Sequence, residues 1–217
     1  MQTSMLILFT NWLVAVEALA AIAGFLTWKK WKDHYLKWFP VYLTMITVRE
    51  TCYHIFSYLN KGSTASLMYE IAVPVEILFI SWFFYCTLTV KNRKVVLAGA
   101  LLYIVSLVLE KILIDAQGYY FRSLSYTTGN LFILIYLILF LIELVRSEKI
   151  FNFQKITVFW IAVGLLIFYM GTFPFYGLYN ELAKDINLFI PVAWAATFLN
   201  YSMYLCFTIG FIWGKPH

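Results

Sequence analysis

Long apolar runs separated by short charged stretches make up most of this chain. Each run is long enough to cross the hydrocarbon core of a bilayer, which takes roughly 20 residues in a helix. The chain lacks the alternating pattern of barrel strands, and backbone in lipid must hydrogen-bond to itself, so the runs predict helices. The predicted spans are residues 4–28, 37–60, 67–90, 95–115, 124–146, 155–177 and 189–213. The pattern therefore predicts an all-α polytopic membrane protein, a single seven-helix transmembrane domain over residues 1–217.

Composition excludes most other classes of protein. Of 217 residues, 63% are hydrophobic and only 12% are charged, whereas soluble domains run roughly 45–50% apolar and about 25% charged. Cys52, Cys86 and Cys206 all fall inside apolar runs and predict no disulfide framework. These values exclude a soluble domain, a disordered chain and a disulfide scaffold. They predict that the lipid bilayer is a partner of this protein.

The positive charges predict the orientation of the bundle. Eleven of the 16 Lys and Arg residues fall in loops on one side, and Arg49 lies inside a span. The remaining four, on the other side, are Lys61, Lys111, Arg122 and Lys184. The positive-inside rule then places the N-terminus outside and the C-terminus in the cytoplasm. The formal charge of +5 is thus assigned to membrane loops and not to nucleic acid.

Four ionisable residues lie near the middle of predicted spans. Glu17 is in the first span, Arg49 and Glu50 are in the second, and Glu76 is in the third. A charge at the bilayer centre costs roughly 2.5–3.5 kcal/mol on insertion scales, so these side chains are expected to face the interior, with Arg49 bridging carboxylates. Three glutamates and one arginine leave two negative charges uncompensated. Either glutamates are protonated, or a cation or a ligand ammonium group completes the set.

Further polar residues on the spans extend this cluster. Pro74 removes the helical hydrogen bond to the carbonyl of Glu70, which favours a binding-site wall nearby. Tyr103 and Glu110 share a face of the fourth span and are candidates to line an outward-opening pocket, but core packing and the interfacial aromatic belt are the simpler explanation of this polar layer. The predicted ligand-binding or polar-network residues are Glu17, Arg49, Glu50, Tyr53, Glu70, Glu76, Asn130, Asn200 and Tyr201. The alternative is a structural clamp that only fixes the packing of the first three spans.

Common catalytic motifs are missing from the sequence. It has no HExxH, no GxSxG and no P-loop, and its three histidines suggest no complete metal site. The last span has no lysine before Lys215 to hold a retinal Schiff base. We therefore expect no metal and no cofactor, and we favour a protein without enzymatic activity.

A short internal repeat offers an alternative to a receptor. Val73-Pro74-Val75 in the third span and Ile190-Pro191-Val192 in the seventh lie in spans of the same direction. Two parallel three-helix units joined by the fourth span would produce that relation, as in some transporters. A chance tripeptide is the simpler explanation.

Several apolar motifs resemble those of a bacterial family. They are Tyr69-Glu70, Glu76-Ile77-Leu78-Phe79, Phe83-Phe84-Tyr85, residues 159–171 and Leu199-Asn200-Tyr201. They are similar to motifs of uncharacterised seven-helix membrane proteins, often encoded near histidine kinases or response regulators. The resemblance implies a sensory role in the bacterial cytoplasmic (inner) membrane.

The sequence therefore predicts a receptor-like protein that binds a small ligand and signals through a partner such as a histidine kinase. The alternatives are a small-solute or proton-coupled transporter and an intramembrane lipid-modifying enzyme.

Overall fold

The computed structural model describes residues 2–59, 62–113 and 123–215 of the chain. Within these ranges the chain is helical without β-strands, apart from one isolated bridge between Ile156 and Lys215. The α-helices are α1 (Gln2–Leu26), α2 (Trp38–Tyr58), α3 (Gly62–Thr87), α4 (Val90–Leu113), α5 (Ser123–Val145), α6 (Thr157–Gly177), α7 (Tyr179–Leu182) and α8 (Ile186–Trp213). Lys61 and Arg122, which counted toward the predicted orientation, lie outside the described residues.

The long helices coincide with the predicted spans to within a few residues, so the all-helical prediction is confirmed. The start of α8 has a side-chain cap. The side chain of Asp185 accepts a hydrogen bond from the backbone N–H of Asn187 and begins α8. Pro74 and Pro191 lie inside α3 and α8, where a neighbouring helix can support the interrupted hydrogen bond.

Six of these helices are long and apolar enough to cross a membrane. The helices concerned are α1, α3, α4, α5, α6 and α8. α2 has 21 residues but is less apolar, since it contains Arg49, Glu50 and His54. The chain is therefore a multi-pass integral membrane protein with its apolar outer surface in contact with lipid.

Pairwise packing arranges six helices in a closed order. α1 packs on α2, α2 on α3, α3 on α5, α5 on α6, α6 on α8 and α8 on α1. α4 packs on α3 and α5. Because α4 and the short α7 are absent from the closed order, we call the other six the ring helices. The side chains at their mutual contacts form the interior of the bundle.

One end of the ring is packed more tightly than the other. Phe39, Phe83, Phe207 and Phe211, from α2, α3 and α8, are at most 1% exposed, and we call them the aromatic plug. The Phe39 ring centroid lies 5.2 Å from those of Phe83 and Phe207. The plug lies at the helix ends that adjoin the basic loops.

At the opposite end of the ring several side chains are only half-buried, although Thr172 and Phe175 on α6 are buried there. Examples are Tyr53 and His54 on α2, Val73 on α3, Tyr126 on α5 and Trp194 on α8. The bundle is therefore closed at its basic end and less tightly packed at the other end.

Candidate functional site

Arg49 on α2 pairs with two carboxylates, Glu50 on its own helix and Glu76 on α3. Its Nη2 lies 2.6 Å from Glu50 Oε1, and its Nη1 lies 3.2 Å from Glu76 Oε2. The side chains of Arg49 and Glu50 are 15% exposed and that of Glu76 is 20% exposed. The bridge predicted from the sequence is thus present, and it is largely but not fully buried.

Tyr69 on α3 completes the surroundings of Arg49 and Glu50. Its hydroxyl donates to Glu50 Oε2 at 2.6 Å. Its ring centroid lies 5.0 Å from Arg49 Cζ, within the range of a cation–π contact. Tyr53 packs edge-on against the Tyr69 ring at a centroid distance of 4.9 Å.

Glu76 extends the network to α6. The Tyr169 hydroxyl donates to Glu76 Oε1 at 3.3 Å, and Tyr42 on α2 lies beside Glu76 and interacts with it electrostatically. Both tyrosines are buried. A hydroxyl buried in an apolar core needs a polar partner, so these contacts help to fix Glu76 inside the ring.

Glu17 brings α1 and α8 into the same network. It is 2% exposed, lies beside Tyr204 on α8, and interacts electrostatically with Glu50, Arg49 and Glu76. We call Glu17, Tyr42, Arg49, Glu50, Tyr69, Glu76, Tyr169 and Tyr204 the polar cluster. It joins α1, α2, α3, α6 and α8.

Two polar atoms of this cluster are buried but unsatisfied. Within the described residues, Glu17 Oε2 and Arg49 Nε have no hydrogen-bond partner. Buried polar groups are nearly always hydrogen-bonded, so each such atom calls for an explanation.

α5 borders the polar cluster through Tyr126 and Asn130. The Tyr126 ring lies 4.5 Å from that of Tyr176 on α6, and both tyrosines interact electrostatically with Glu76 and Arg49. Asn130 is completely buried beside Tyr126. Its amide nitrogen and oxygen make no hydrogen bond of good geometry within the described part of the chain.

Other residues singled out in the sequence have different surroundings. Glu70 is exposed on α3, and Asn200 is half-buried on α8. The Tyr201 hydroxyl donates to the backbone carbonyl of Phe9 at 2.8 Å, which joins α8 to α1. None of these three residues belongs to the contacts that define the polar cluster.

Glu110 is a helix cap in the structure. Its two carboxylate oxygens each accept a hydrogen bond of 3.0 Å, from the backbone N–H groups of Leu124 and Ser125. These groups begin α5 and have no partner within their own helix. The expectation that Glu110 lines a pocket is therefore replaced by a structural role at the start of α5.

Four tyrosines of the polar cluster were not among the predicted site residues. Tyr42 precedes Arg49 by seven positions and Tyr69 precedes Glu76 by seven, a spacing that places each pair on one helix face. That spacing was a usable signal. Tyr169 and Tyr204 come from distant helices, and no local pattern connects them with Arg49.

The chemistry of the polar cluster is that of an acceptor-rich site. Three carboxylates surround one guanidinium whose two Nη atoms are already paired. In the described ranges, no group of three or more His, Cys, Asp or Glu side chains is placed to hold a metal ion. The arrangement suits electrostatic recognition of a ligand or a charge-balanced contact between helices.

Comparisons with known proteins identify no relative: no protein-family model matches the chain, nor does any curated protein or any solved structure. The similarity to bacterial seven-helix proteins stays a prediction. The function must therefore be argued from the polar cluster and its place in the bundle.

Proposed function

We propose that this protein is a receptor-like membrane protein that binds a small ligand at the polar cluster and passes a helix rearrangement to a partner. One observation carries the proposal. The polar cluster is partly exposed and not fully hydrogen-bonded, whereas the aromatic plug on its basic side is sealed. This combination fits a site that opens toward one face of the membrane.

The proposal takes α2 as a seventh span with the N-terminus outside. A helix of 21 residues is about 31 Å long and matches the roughly 30 Å hydrocarbon core. α2 lies between α1 and α3 and pairs Arg49 with Glu76, near the middle of α3. Its charged side chains are thus paired inside the bundle, which removes the main obstacle to crossing.

The same helices carry the polar cluster and the aromatic plug. On α8, Tyr204 lies beside Glu17, and Phe207 of the plug lies one turn later. α2 and α3 likewise contribute to both sets. A ligand that favours one packing of the cluster over another would therefore also shift the plug and the basic face.

The basic face is the proposed surface for a signalling partner. Lys30 Nζ donates to the carbonyl of Ile212 at 2.9 Å, so the loop after α1 is attached to the end of α8. A shift of α8 would move that loop. A histidine kinase or another protein of the bacterial inner membrane is the partner class we propose.

Binding can be tested on the purified protein by thermal unfolding. A thiol-reactive dye reports unfolding through the half-buried Cys52, Cys86 and Cys206. In a screen of small polar compounds, we expect a compound to raise Tm in the natural protein but not in Arg49→Met/Glu76→Met, which removes one positive and one negative group. If every stabilising compound acts equally on both proteins, the polar cluster is only a clamp.

A transporter is the second candidate, and the helix order favours it. The ring places α1, α2 and α3 beside α5, α6 and α8, with α4 outside as the connection. This is the order expected of two parallel three-helix units. Solute or proton uptake in proteoliposomes that Glu76→Gln abolishes would support a transporter, and binding without uptake would support a receptor.

A further inference from the structure

The polar cluster carries more negative than positive groups in a place where charge is costly. Glu17, Glu50 and Glu76 share one guanidinium, that of Arg49, and Glu17 interacts electrostatically with the other two carboxylates. When both are ionised, Glu17 and Glu50 form a like-charge pair that shares Arg49 as its cation. A like-charge pair away from water favours any ligand that brings positive charge.

Glu17 Oε2 provides an independent sign of a missing partner. Glu17 is 2% exposed, and this oxygen has no hydrogen-bond partner among the described residues. Protonation of Glu17 does not remove the problem. A proton on Oε2 would be a donor without an acceptor, and a proton on Oε1 would leave Oε2 an acceptor without a donor.

The surrounding groups define which ligand would fit. Arg49 already uses both Nη atoms on Glu50 and Glu76, so an anion would meet three carboxylates and only the Nε of one arginine. A bare metal ion lacks a set of three ligands in the described ranges. Tyr42, Tyr69 and Tyr204 lie beside the carboxylates, and the Tyr69 ring already makes a cation–π contact with Arg49, so the surroundings are of the kind that binds ammonium groups.

We propose that the polar cluster binds a small organic cation with one or two ammonium groups, one of which donates to Glu17 Oε2. This inference rests on the proposed function, because it names the ligand class of the same site. The two surplus negative charges favour a diamine. The cation would lie between Glu17 and Glu50, on the side of the cluster away from the aromatic plug.

The test compares probes of equal length and different charge on the purified protein. The probes are 1,4-diaminobutane, 1,4-butanediol and succinate, together with n-butylamine and n-butanol. We expect the two amines to raise Tm in a saturable way, while the alcohols and succinate do not. Glu17→Gln keeps the side-chain shape, and we expect it to weaken amine binding about 30-fold or more, as loss of one buried charge partner does.

A matched variant separates the site from a general charge effect. Glu181→Gln removes a carboxylate from an exposed ion pair on α7, and amine binding should be unchanged. Amines that bind no better than the alcohols, or equal binding to Glu17→Gln, would overturn the cation proposal. Binding of succinate that Arg49→Met/Glu76→Met abolishes would overturn it as well, but would leave the proposed receptor function in place.

Discussion

At the residue scale, Arg49 is the side chain on which the interior depends most. It contacts two carboxylates and the Tyr69 ring, and these contacts join α2 to α3. A buried ion pair adds little net stability, since desolvation offsets the attraction. Removal of one partner is costly because the remaining charges stay buried and unpaired.

We predict that Arg49→Met lowers the free energy of unfolding by about 3 kcal/mol, at the low end for breaking a buried pair. Equilibrium unfolding in mixed detergent micelles measures this. Adding Glu76→Gln should recover part of the lost stability, because it removes one of the two carboxylate charges that Arg49 no longer pairs. Lys184→Met is the control, since its ion pair with Glu181 is 68% exposed on both sides and should contribute little. A loss no larger than that of the control would contradict the prediction.

The sequence predicted the charged members of the polar cluster better than the neutral ones. Glu17, Arg49, Glu50 and Glu76 stand out because charge is expensive inside a span, so their inward direction follows from energy alone. Tyr169 is also compatible with an interfacial or core position. Its contact with Glu76 depends on how α6 packs in the ring, which no local pattern specifies.

At the element scale, α4 and α5 cap each other. Glu110 near the end of α4 accepts from the first N–H groups of α5. Glu143 near the end of α5 accepts from the backbone N–H and hydroxyl of Thr89 and from the side chain of Asn92, where α4 begins. Each carboxylate therefore satisfies donors at a helix start and complements the helix dipole.

The contact between α6 and α8 depends on the absence of side chains at two glycines. A Cβ at Gly164 would lie 2.9 Å from the backbone oxygen of Met203, and a Cβ at Gly210 would lie 2.9 Å from Trp160 Cβ. Glycines on both helices thus allow the close approach of α6 and α8.

We predict that Gly164→Ala lowers the free energy of unfolding by about 1–2 kcal/mol. Overpacking costs about 1–3 kcal/mol, and higher helix propensity offsets part of it. Gly177→Ala is the matched control on the same helix, since its Cβ would meet only Thr127 Oγ1 at 3.5 Å. The same unfolding measurement serves both variants. If Gly164→Ala and Gly177→Ala have equal free energies of unfolding, the close contact between α6 and α8 does not contribute to stability.

At the scale of the whole molecule, the pattern of apolar runs predicts the helices but not their order around the ring. Apolar length and charge place α1 to α6 and α8 in the sequence. Lipid-facing and protein-facing apolar residues have the same composition, so periodicity identifies neither the contact of α1 with α8 nor the place of α4 outside the ring. For the same reason the aromatic plug was not predicted.

The chain crosses the membrane six or seven times, depending on whether α2 spans it. The number of crossings decides which side of the membrane each loop faces. If α2 crosses the membrane, Asp33 before it and Leu59 after it face opposite sides. Both positions are exposed, so single cysteines there should be tolerated in a protein whose three natural cysteines are replaced. In intact cells, an impermeant maleimide should label Leu59→Cys, and Asp33→Cys only after permeabilisation, because the positive-inside rule predicts that the basic loops face the cytoplasm. Asp185→Cys, on the predicted outer side, serves as the positive control.

Labelling of both Asp33→Cys and Leu59→Cys from one side would mean that α2 does not cross. The polar cluster would then lie near one membrane surface, and a midplane site would be excluded.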